Sequence, residues 1–214
     1  MACLQDKPAC VFCACSFEGV VLTFCANLQV AAKKKEKKQT KINLLVSPGA
    51  ALQVLQEHLE TSWNRNVTPL KSVNIFLTHH DKQVPVGKMS RAMLERIVDC
   101  SKHDLSTYKA KIKDEVRVEA GLPVFDVVLL EAGSDGRCAG FVPNMGAIVN
   151  TGNGEEVVIL LDKKKDGIEG YSISLGVLRN ATRLLVLATG IDKQDVVALG
   201  LGKTQEGRIT STAP

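Results

Sequence analysis

The sequence predicts an α/β domain in which helices cover both faces of a mostly parallel sheet, so that the domain has three layers. Short apolar runs rich in Val, Leu and Ile alternate along the chain with stretches of helical periodicity. These runs are continuous and do not alternate with polar residues, which is typical of strands that are covered on both faces. No internal repeat or low-complexity linker interrupts the pattern. We therefore expect one α/β domain over residues 16–214, preceded by a loose segment, residues 1–15.

The first predicted element is a helix over residues 17–38. Val20, Phe24 and Leu28 recur at helical spacing, and the end of the segment is rich in lysine. The run from Lys33 to Lys41 (KKKEKKQTK) carries positive charge, which suits the C-terminal end of a helix dipole. The same run has an alternative interpretation as a binding patch for an acidic protein or for RNA.

The next elements alternate between strand and helix. Residues 42–46 (INLLV) and 73–78 (VNIFLT) are short runs with the length and composition of buried strands. Residues 50–60 lie between them and follow Ser-Pro-Gly, which is a common entry into a helix. Residues 89–100 carry apolar side chains at helical spacing and are predicted to form the next helix.

The second half of the chain continues the alternation. Strands are predicted over residues 126–130 (DVVLL), 157–161 (VVILL) and 184–189 (LLVLAT). Helical patterns cover residues 174–180 and 192–201. Because all these strands are continuous apolar runs, we expect them to belong to the same mostly parallel sheet.

Composition narrows the functional classes. The formal net charge of +4 is too small to indicate nucleic-acid binding by itself. No apolar run reaches the roughly 18 residues that a membrane helix needs. The N-terminus lacks the basic region of a secretory signal and is poor in Arg, unlike a mitochondrial presequence. The expectation is a cytoplasmic protein with no membrane partner.

The cysteines indicate free thiols. The chain has 7 cysteines, an odd number, and no recognisable signal peptide. Cys10, Cys13 and Cys15 have a spacing that suits a soft metal, but no second cysteine pair and no nearby histidine completes four ligands. We therefore expect no metal site.

The residues that follow each predicted strand are the candidates for a functional site. In an open parallel sheet, ligands bind beyond the carboxyl ends of the strands. Glycine permits tight turns there, Asp can accept backbone N–H bonds, and Arg can bind a phosphate or pair with a neighbouring carboxylate. Two adjacent histidines follow the second strand, and a polar surface loop is the alternative interpretation of that stretch. The candidates are Ser47, Gly49, His79, His80, Lys82, Gly133, Asp135, Gly136 and Arg137.

The stretch from Phe125 to Asn144 (FDVVLLEAGSDGRCAGFVPN) resembles the signature of the 6-phosphogluconolactonase family. In that family a strand ends in a loop of the form G-x-G-x-D-G-H-x-A-S, followed by F-P. The residues that match it are Gly133, Asp135, Gly136, Ala139 and Pro143. The resemblance spans about residues 41–199 and is most specific in 125–144 and 172–193.

The resemblance implies a Rossmann-like fold, a phosphorylated sugar lactone as ligand, and no metal or cofactor. The implied reaction opens 6-phosphoglucono-δ-lactone to 6-phosphogluconate, a step of carbohydrate metabolism in the pentose phosphate pathway. Glucosamine-6-phosphate deaminases share the fold and a similar D-G-H loop, but residues 172–193 resemble the lactonases more closely.

The same resemblance implies which residues would bind the phosphate. The family loop L-S-G-G-S-T-P cradles the sugar phosphate at a helix N-terminus. Ser47 and Gly49 match this loop, whereas Pro48 removes an N–H donor and Ala50 removes a hydroxyl. The arginine of the family's D-E-R-x-V-P pattern corresponds to Lys82. The implied binding set is completed by Gly133, Gly136 and Arg137.

The catalytic position departs from the family pattern. The family's histidine is its general base, and Arg137 stands in its place, while Glu131 stands at the family's first glycine. A guanidinium stays protonated at any usable pH and cannot act as that base. We therefore expect weak or lost hydrolysis and a role as a binding or interaction module. The alternative is an active lactonase in which His79 or His80 supplies the base, with Asp135 as the remaining catalytic candidate.

Overall fold

The fold is known from a computed structural model, which describes residues 41–64, 73–81, 97–98, 105–143, 156–161 and 170–200 and the single positions 19, 26 and 95. The strands are β1 Ile42–Val46, β2 Val73–Leu77, β3 His79–Asp81, β4 Ile97–Val98, β5 Val118–Glu119, β6 Leu122–Pro123, β7 Val127–Glu131, β8 Val158–Leu161, β9 Gly170–Ile173 and β10 Leu184–Leu187. The helices are α1 Ala50–Asn64, α2 Leu105–Glu115, α3 Leu175–Asn180 and α4 Gln194–Gly200, and a 3-10 turn over Ile191–Lys193 leads into α4.

The main sheet is parallel and has the strand order β10-β7-β1-β2-β4. Leu44 at its centre lies opposite Ile75 of β2 on one side and Val127 of β7 on the other. The chain first builds the sheet outward from β1 through β2 and then adds β7 and β10 on the other side. The strand order therefore switches between β1 and β7, the place where open α/β sheets form a ligand crevice. The predicted α/β fold is confirmed.

Both faces of this sheet are covered, as the continuous apolar runs predict. Leu44 and Val46 of β1 belong to a buried cluster that includes Leu55 and other apolar residues of α1. Leu45, between them, belongs to a second buried cluster that includes Tyr108 of α2 and residues of α3. Successive side chains of a strand point to opposite faces, so each face of β1 packs against a different helical layer.

One hydrogen bond fixes α2 against the sheet, and another caps the start of α3. The Tyr108 hydroxyl of α2 donates to the Leu77 carbonyl at the end of β2 at 2.6 Å. Ser174 is the N-cap of α3, and its hydroxyl accepts from the Val177 N–H at 3.4 Å. The helix predicted over residues 174–180 is thus confirmed, with its first residue as the cap.

A second sheet of three strands, in the order β3-β9-β8, is antiparallel. In its middle strand, Ser172 lies opposite His79 of β3 and Ile159 of β8. Residues 157–161 were expected in the parallel sheet, and that expectation is wrong. The run is not covered on both faces, because Leu160 is 66% exposed whereas its neighbours are buried.

The segment His79–Asp81 is a strand, so its interpretation as a polar surface loop is also wrong. The chain passes from β2 to β3 through one residue, Thr78. The Thr78 N–H donates to the Val46 carbonyl of the parallel sheet at 3.0 Å, and its own carbonyl accepts from the Ile173 N–H of the antiparallel sheet at 2.7 Å. Thr78 therefore joins the two sheets directly.

The helix predicted over residues 89–100 is wrong at its end. Ile97 and Val98 form β4, which pairs in parallel with Ile75 and Phe76 of β2. Both are β-branched, a residue type that favours a pleated strand once a neighbouring edge is available. The remainder of the predicted helix lies outside the described residues, except position 95.

Other predictions concern residues that the structure does not describe. Positions 19 and 26 of the helix predicted over residues 17–38 are helical, and the rest of it lies outside the described residues. The same holds for residues 1–15, for the lysine run up to residue 40, and for Lys82. Within the described part of the chain, no helix has the length and apolar character needed to cross a bilayer.

Candidate functional site

The carboxyl ends of β1, β2 and β7 bring the candidate residues to one edge of the parallel sheet. Ser47 follows β1, Thr78 follows β2, and Glu131 is the last residue of β7. The Ser47 N–H donates to the Leu129 carbonyl of β7 at 2.9 Å, which ties the end of β1 to its neighbour. This edge includes the switch in strand order, so its position agrees with the expected ligand crevice.

The carboxylate of Glu131 caps the N-terminus of α1. Its Oε2 atom accepts from the Ala50 N–H at 2.7 Å and lies 3.4 Å from the Ala51 N. A carboxylate is favourable there because the first N–H groups of a helix lack intrahelical partners and face the positive end of its dipole. Gly49 precedes the helix with φ of +100°, and a Cβ on it would lie 2.8 Å from Glu131 Oε2. The glycine thus leaves the space that the carboxylate fills.

The loop after β7 folds back on itself in two tight turns. The Gly133 N–H donates to the Arg137 carbonyl at 2.7 Å, and the Gly136 N–H donates to the Gly133 carbonyl at 3.1 Å. Cys138 and Phe141 then exchange two backbone hydrogen bonds, of 2.9 Å and 2.8 Å. Gly136 has φ of +80°, a conformation that glycine adopts without the steric cost of a side chain. The predicted turn-forming role of this glycine therefore has a structural basis.

Asp135 and Arg137 pair within that loop. The Arg137 backbone N–H donates to Asp135 Oδ1 at 3.0 Å, and its Nε–H donates to Asp135 Oδ2 at 3.2 Å. The side chains of Asp135 and Arg137 are 52% and 43% exposed, so solvent screens this pair and its contribution to stability is small. The other carboxylate near Arg137 in the sequence, that of Glu131, caps α1 instead.

His79 lies against the end of the same loop. Its side chain is half-buried, and its Nδ1 atom is 2.8 Å from Thr78 Oγ1. A Cβ on Gly140 would lie only 3.1 Å from His79 Cβ and 3.2 Å from His79 Cγ. The absence of a side chain at Gly140 therefore makes room for the imidazole beside the loop.

Ser172 fastens the loop to the second sheet. Its hydroxyl is fully buried and donates to the Ala139 carbonyl at 2.5 Å. Ser172 lies opposite His79 in the β3–β9 pairing. This residue pair therefore holds the loop after β7, the strand β3 and the imidazole of His79 together.

The candidate set is only partly brought together in the described structure. Residues at the end of β1, at the start of β3 and in the loop after β7 surround this edge of the sheet, whereas Lys82 and the side chain of His80 lie outside the described residues. Thr78 and Ser172 were missed as site residues. The position of Thr78 as the last residue of a predicted strand was a usable signal. No sequence signal placed Ser172 beside the loop.

Among the described residues, no group of three or more His, Cys, Asp or Glu side chains is close enough together to hold a metal ion. The chemistry available here is that of an imidazole, two carboxylates, a guanidinium and hydroxyls. These groups can bind anions and transfer protons.

The family model for glucosamine-6-phosphate isomerases and 6-phosphogluconolactonases matches residues 17–213 of the chain. That match covers most of the sequence. The chain belongs to this family.

Sequence similarity to individual curated members of the family covers less than half of the chain. A probable 6-phosphogluconolactonase 1 of Oryza sativa subsp. japonica is 32% identical over 92 residues, which cover 43% of this chain and 30% of the rice protein. The matched segment thus spans about a third of that relative's length.

Solved structures of the family share the fold. The 6-phosphogluconolactonase of Leishmania guyanensis superposes with a TM-score of 0.70 at 20% identity, over 95% of this chain and 90% of that one. The 6-phosphogluconolactonase of Trypanosoma brucei superposes with a TM-score of 0.68 at 19% identity, over 92% of this chain and 88% of that one. At these identities the 6-phosphogluconolactonase-like fold is shown.

Substituting Gly140 by Ala is expected to destabilise the protein more than substituting Gly121, which serves as a matched control. The two glycines have nearly the same φ, +82° and +81°, so the backbone cost of about 1 kcal/mol is shared. A Cβ on Gly121 meets nothing within 4 Å, whereas one on Gly140 meets the His79 ring. Urea unfolding is expected to show about 1 kcal/mol of additional loss for Gly140→Ala. Equal losses for the two variants would contradict the placement of His79 against the loop.

Proposed function

We propose that this 6-phosphogluconolactonase-like protein has lost most or all lactone hydrolysis and acts as a binding or interaction module. The observation that carries the proposal is the position of Glu131. Its carboxylate bonds the Ala50 N–H at the start of α1, where the family resemblance implies the sugar phosphate would bind. A phosphate entering this position would have to displace an anion that is already part of the chain.

Arg137 supports the same proposal. It stands where the resemblance implies a histidine base, and its guanidinium is held by Asp135 at 3.2 Å. A guanidinium does not release its proton near neutral pH, so it cannot activate water. The two departures affect different requirements of the reaction, since Glu131 opposes phosphate binding and Arg137 removes the base.

Partners of such a module remain predictions from the sequence. A phosphorylated sugar lactone is the ligand that the family implies. An acidic protein or RNA is the partner that the run from Lys33 to Lys41 favours. Cytoplasmic localisation is likewise a prediction from the sequence.

Hydrolysis of 6-phosphoglucono-δ-lactone by the purified chain is expected to be indistinguishable from the spontaneous rate in buffer. Proton release in a pH-stat measures both rates, and the His79→Ala/His80→Ala double variant serves as the matched protein blank. A wild-type rate well above the blank would contradict the loss of catalysis. If that excess disappeared in the double variant, it would establish a relocated base.

A second candidate function is an active lactonase in which His79 is the general base. The observation that favours it is the contact of the His79 ring with Gly140, next to the loop that carries the implied catalytic position. An imidazole titrates near neutral pH, so it can accept a proton from water where the guanidinium of Arg137 cannot. In this reading the phosphate would need cations outside the Glu131 cap, with Lys82 and Arg137 as the candidates from the sequence.

A further inference from the structure

The loop after β7 turns back beside the end of that strand and places two opposite charges on one face. Ala132 and Cys138 form an antiparallel bridge, and the Gly133 N–H donates to the Arg137 carbonyl at 2.7 Å. A Cβ on Gly133 would lie 3.3 Å from Arg137 Cβ, so these two residues face each other. In this register Glu131 and Arg137 are diagonal neighbours, which leave an antiparallel pair on the same face about 7–8 Å apart.

Gly133 adds no side chain of the loop to the space between these two residues. A Cβ at this position would also lie 2.7 Å from Asp135 Oδ1, so a larger residue would displace that carboxylate. The face belongs to the carboxyl edge of the parallel sheet, beside the switch in strand order between β1 and β7. Ligands of open α/β sheets bind at such an edge.

Each of the two charged groups uses only part of its hydrogen-bonding capacity within the described ranges of the chain. Glu131 bonds through Oε2, which accepts from the Ala50 N–H at 2.7 Å. The guanidinium of Arg137 bonds through Nε, which donates to Asp135 Oδ2 at 3.2 Å. The backbone N–H of Arg137 donates to the other oxygen of Asp135 at 3.0 Å, so the guanidinium is held in one direction. Oε1 of Glu131 and the two Nη groups of Arg137 therefore remain for a ligand.

The chemistry of these groups defines a class of ligand. The two Nη groups of a guanidinium form a fork that matches the two oxygens of a carboxylate. The carboxylate oxygen of Glu131 is an acceptor, so it favours hydroxyl groups and repels a second anion. The N–H at the start of α1, where a phosphate would bind, already donates to Glu131. A molecule with one carboxylate, several hydroxyls and no phosphate fits this arrangement.

We propose that this face of the loop binds a sugar acid that carries no phosphate group. The Nη groups of Arg137 donate to the carboxylate of the ligand, and Oε1 of Glu131 accepts from its hydroxyls. The inference rests on the proposed function, in which the chain binds without hydrolysing, and it names the class of ligand. Binding is expected to be weak, because the Arg137 side chain is 43% exposed and solvent screens its charge.

An NMR titration of the full-length nitrogen-15-labelled chain with sodium gluconate measures this binding. Sodium chloride at the same ionic strength corrects for the general effect of salt on the amide shifts. The wild-type chain is expected to bind gluconate at least as tightly as 6-phosphogluconate, because the added phosphate is repelled by the carboxylate of Glu131. Arg137→Gln removes the guanidinium fork and is expected to weaken gluconate binding roughly tenfold, the effect of one hydrogen bond to a charged group.

Arg117→Gln is the matched control and is expected to leave gluconate binding unchanged. Arg117 also pairs with a carboxylate two positions away, that of Glu119, and is 50% exposed, but it lies between α2 and β5. Shifts no larger than those with sodium chloride, equal binding by Arg137→Gln and the wild-type chain, or tighter binding of 6-phosphogluconate would overturn the inference. Lactone turnover is measured on the same samples. Absent gluconate binding with a background rate overturns this inference alone, whereas turnover well above background contradicts the proposed function.

Discussion

The double variant Glu131→Gly/Arg137→His is expected to open 6-phosphoglucono-δ-lactone well above the spontaneous rate, which the wild-type chain does not exceed. Roughly a hundredfold is the lower end of what a general base contributes. Glycine removes the carboxylate that accepts from the Ala50 N–H at 2.7 Å, so the start of α1 can bind a phosphate. Histidine at position 137 supplies a group that is neutral and basic near pH 7. The two changes reverse the two departures that we hold responsible for the loss of catalysis.

Initial rates of proton release, corrected for spontaneous opening of the lactone, measure the effect. The combination of Glu131→Gln with Arg137→His is the matched control. Glutamine has the size of glutamate and keeps an oxygen over the N–H groups of Ala50 and Ala51, so most of the gain is expected to be absent. A double glycine–histidine variant that is folded, as judged by circular dichroism, and still hydrolyses at the wild-type rate would show that other losses disable the site.

Substituting Phe125 by Ala is expected to lower the free energy of unfolding by about 3–5 kcal/mol. Phe125 is fully buried and stands at the entrance of β7, in the cluster shared by the parallel sheet, α2 and α3. Its ring meets Phe76 edge to face, with centroids 5.5 Å apart and an interplanar angle of 70°. Alanine would leave a cavity in this cluster, and with a total stability of about 5–15 kcal/mol the fold would become marginal.

Equilibrium unfolding in urea measures this loss, and Phe125→Leu is the comparison. Leucine retains much of the apolar volume but not the ring contact with Phe76, so about half of the loss is expected. Val118→Ala, at a position that is 51% exposed, is expected to change the stability by less than about 0.5 kcal/mol. A Phe125→Ala variant as stable as Val118→Ala would contradict the assignment of this cluster as the core.

The parallel sheet could be predicted from the sequence because its central strands, β1, β2 and β7, are buried on both faces. Continuous apolar runs such as those in INLLV and DVVLL indicate this burial. The strands β1 and β7 are found at these two runs. The antiparallel sheet could not be predicted in the same way. The segment His79–Asp81 is polar and becomes a strand only through pairing with residues 170–172, which lie about ninety positions further along the chain. Local pattern carries no information about such a partner.

The error over residues 89–100 has a similar cause. Met93 and Ile97 are four residues apart, so they fit a helix face, yet Ile97 pairs with Ile75 of a strand edge that the local pattern does not reveal. Tertiary pairing overrode a local preference at this point.

The sequence indicated which residues lie at this edge of the sheet, but not the contacts between them. Gly49 was identified through its match to the family's phosphate loop and Gly136 as a turn residue, and both adopt positive φ angles. The role of Glu131 was not predicted, since it depends on a carboxylate reaching a helix that begins 81 residues earlier in the sequence. A substitution that reads as a lost glycine in the sequence is, in three dimensions, a gained helix cap.

The direct passage from β2 to β3 through Thr78 has an evolutionary consequence. Most connections in a protein tolerate added or removed residues, and families diversify their function through such changes. The connection between Leu77 and His79 has no spare length, because Thr78 is hydrogen-bonded to the parallel sheet by its N–H and to the antiparallel sheet by its carbonyl. A single inserted residue would turn every side chain of β3 to the opposite face and withdraw His79 from Gly140. The site can therefore vary here by substitution, whereas a change of length would move His79 away from the loop after β7.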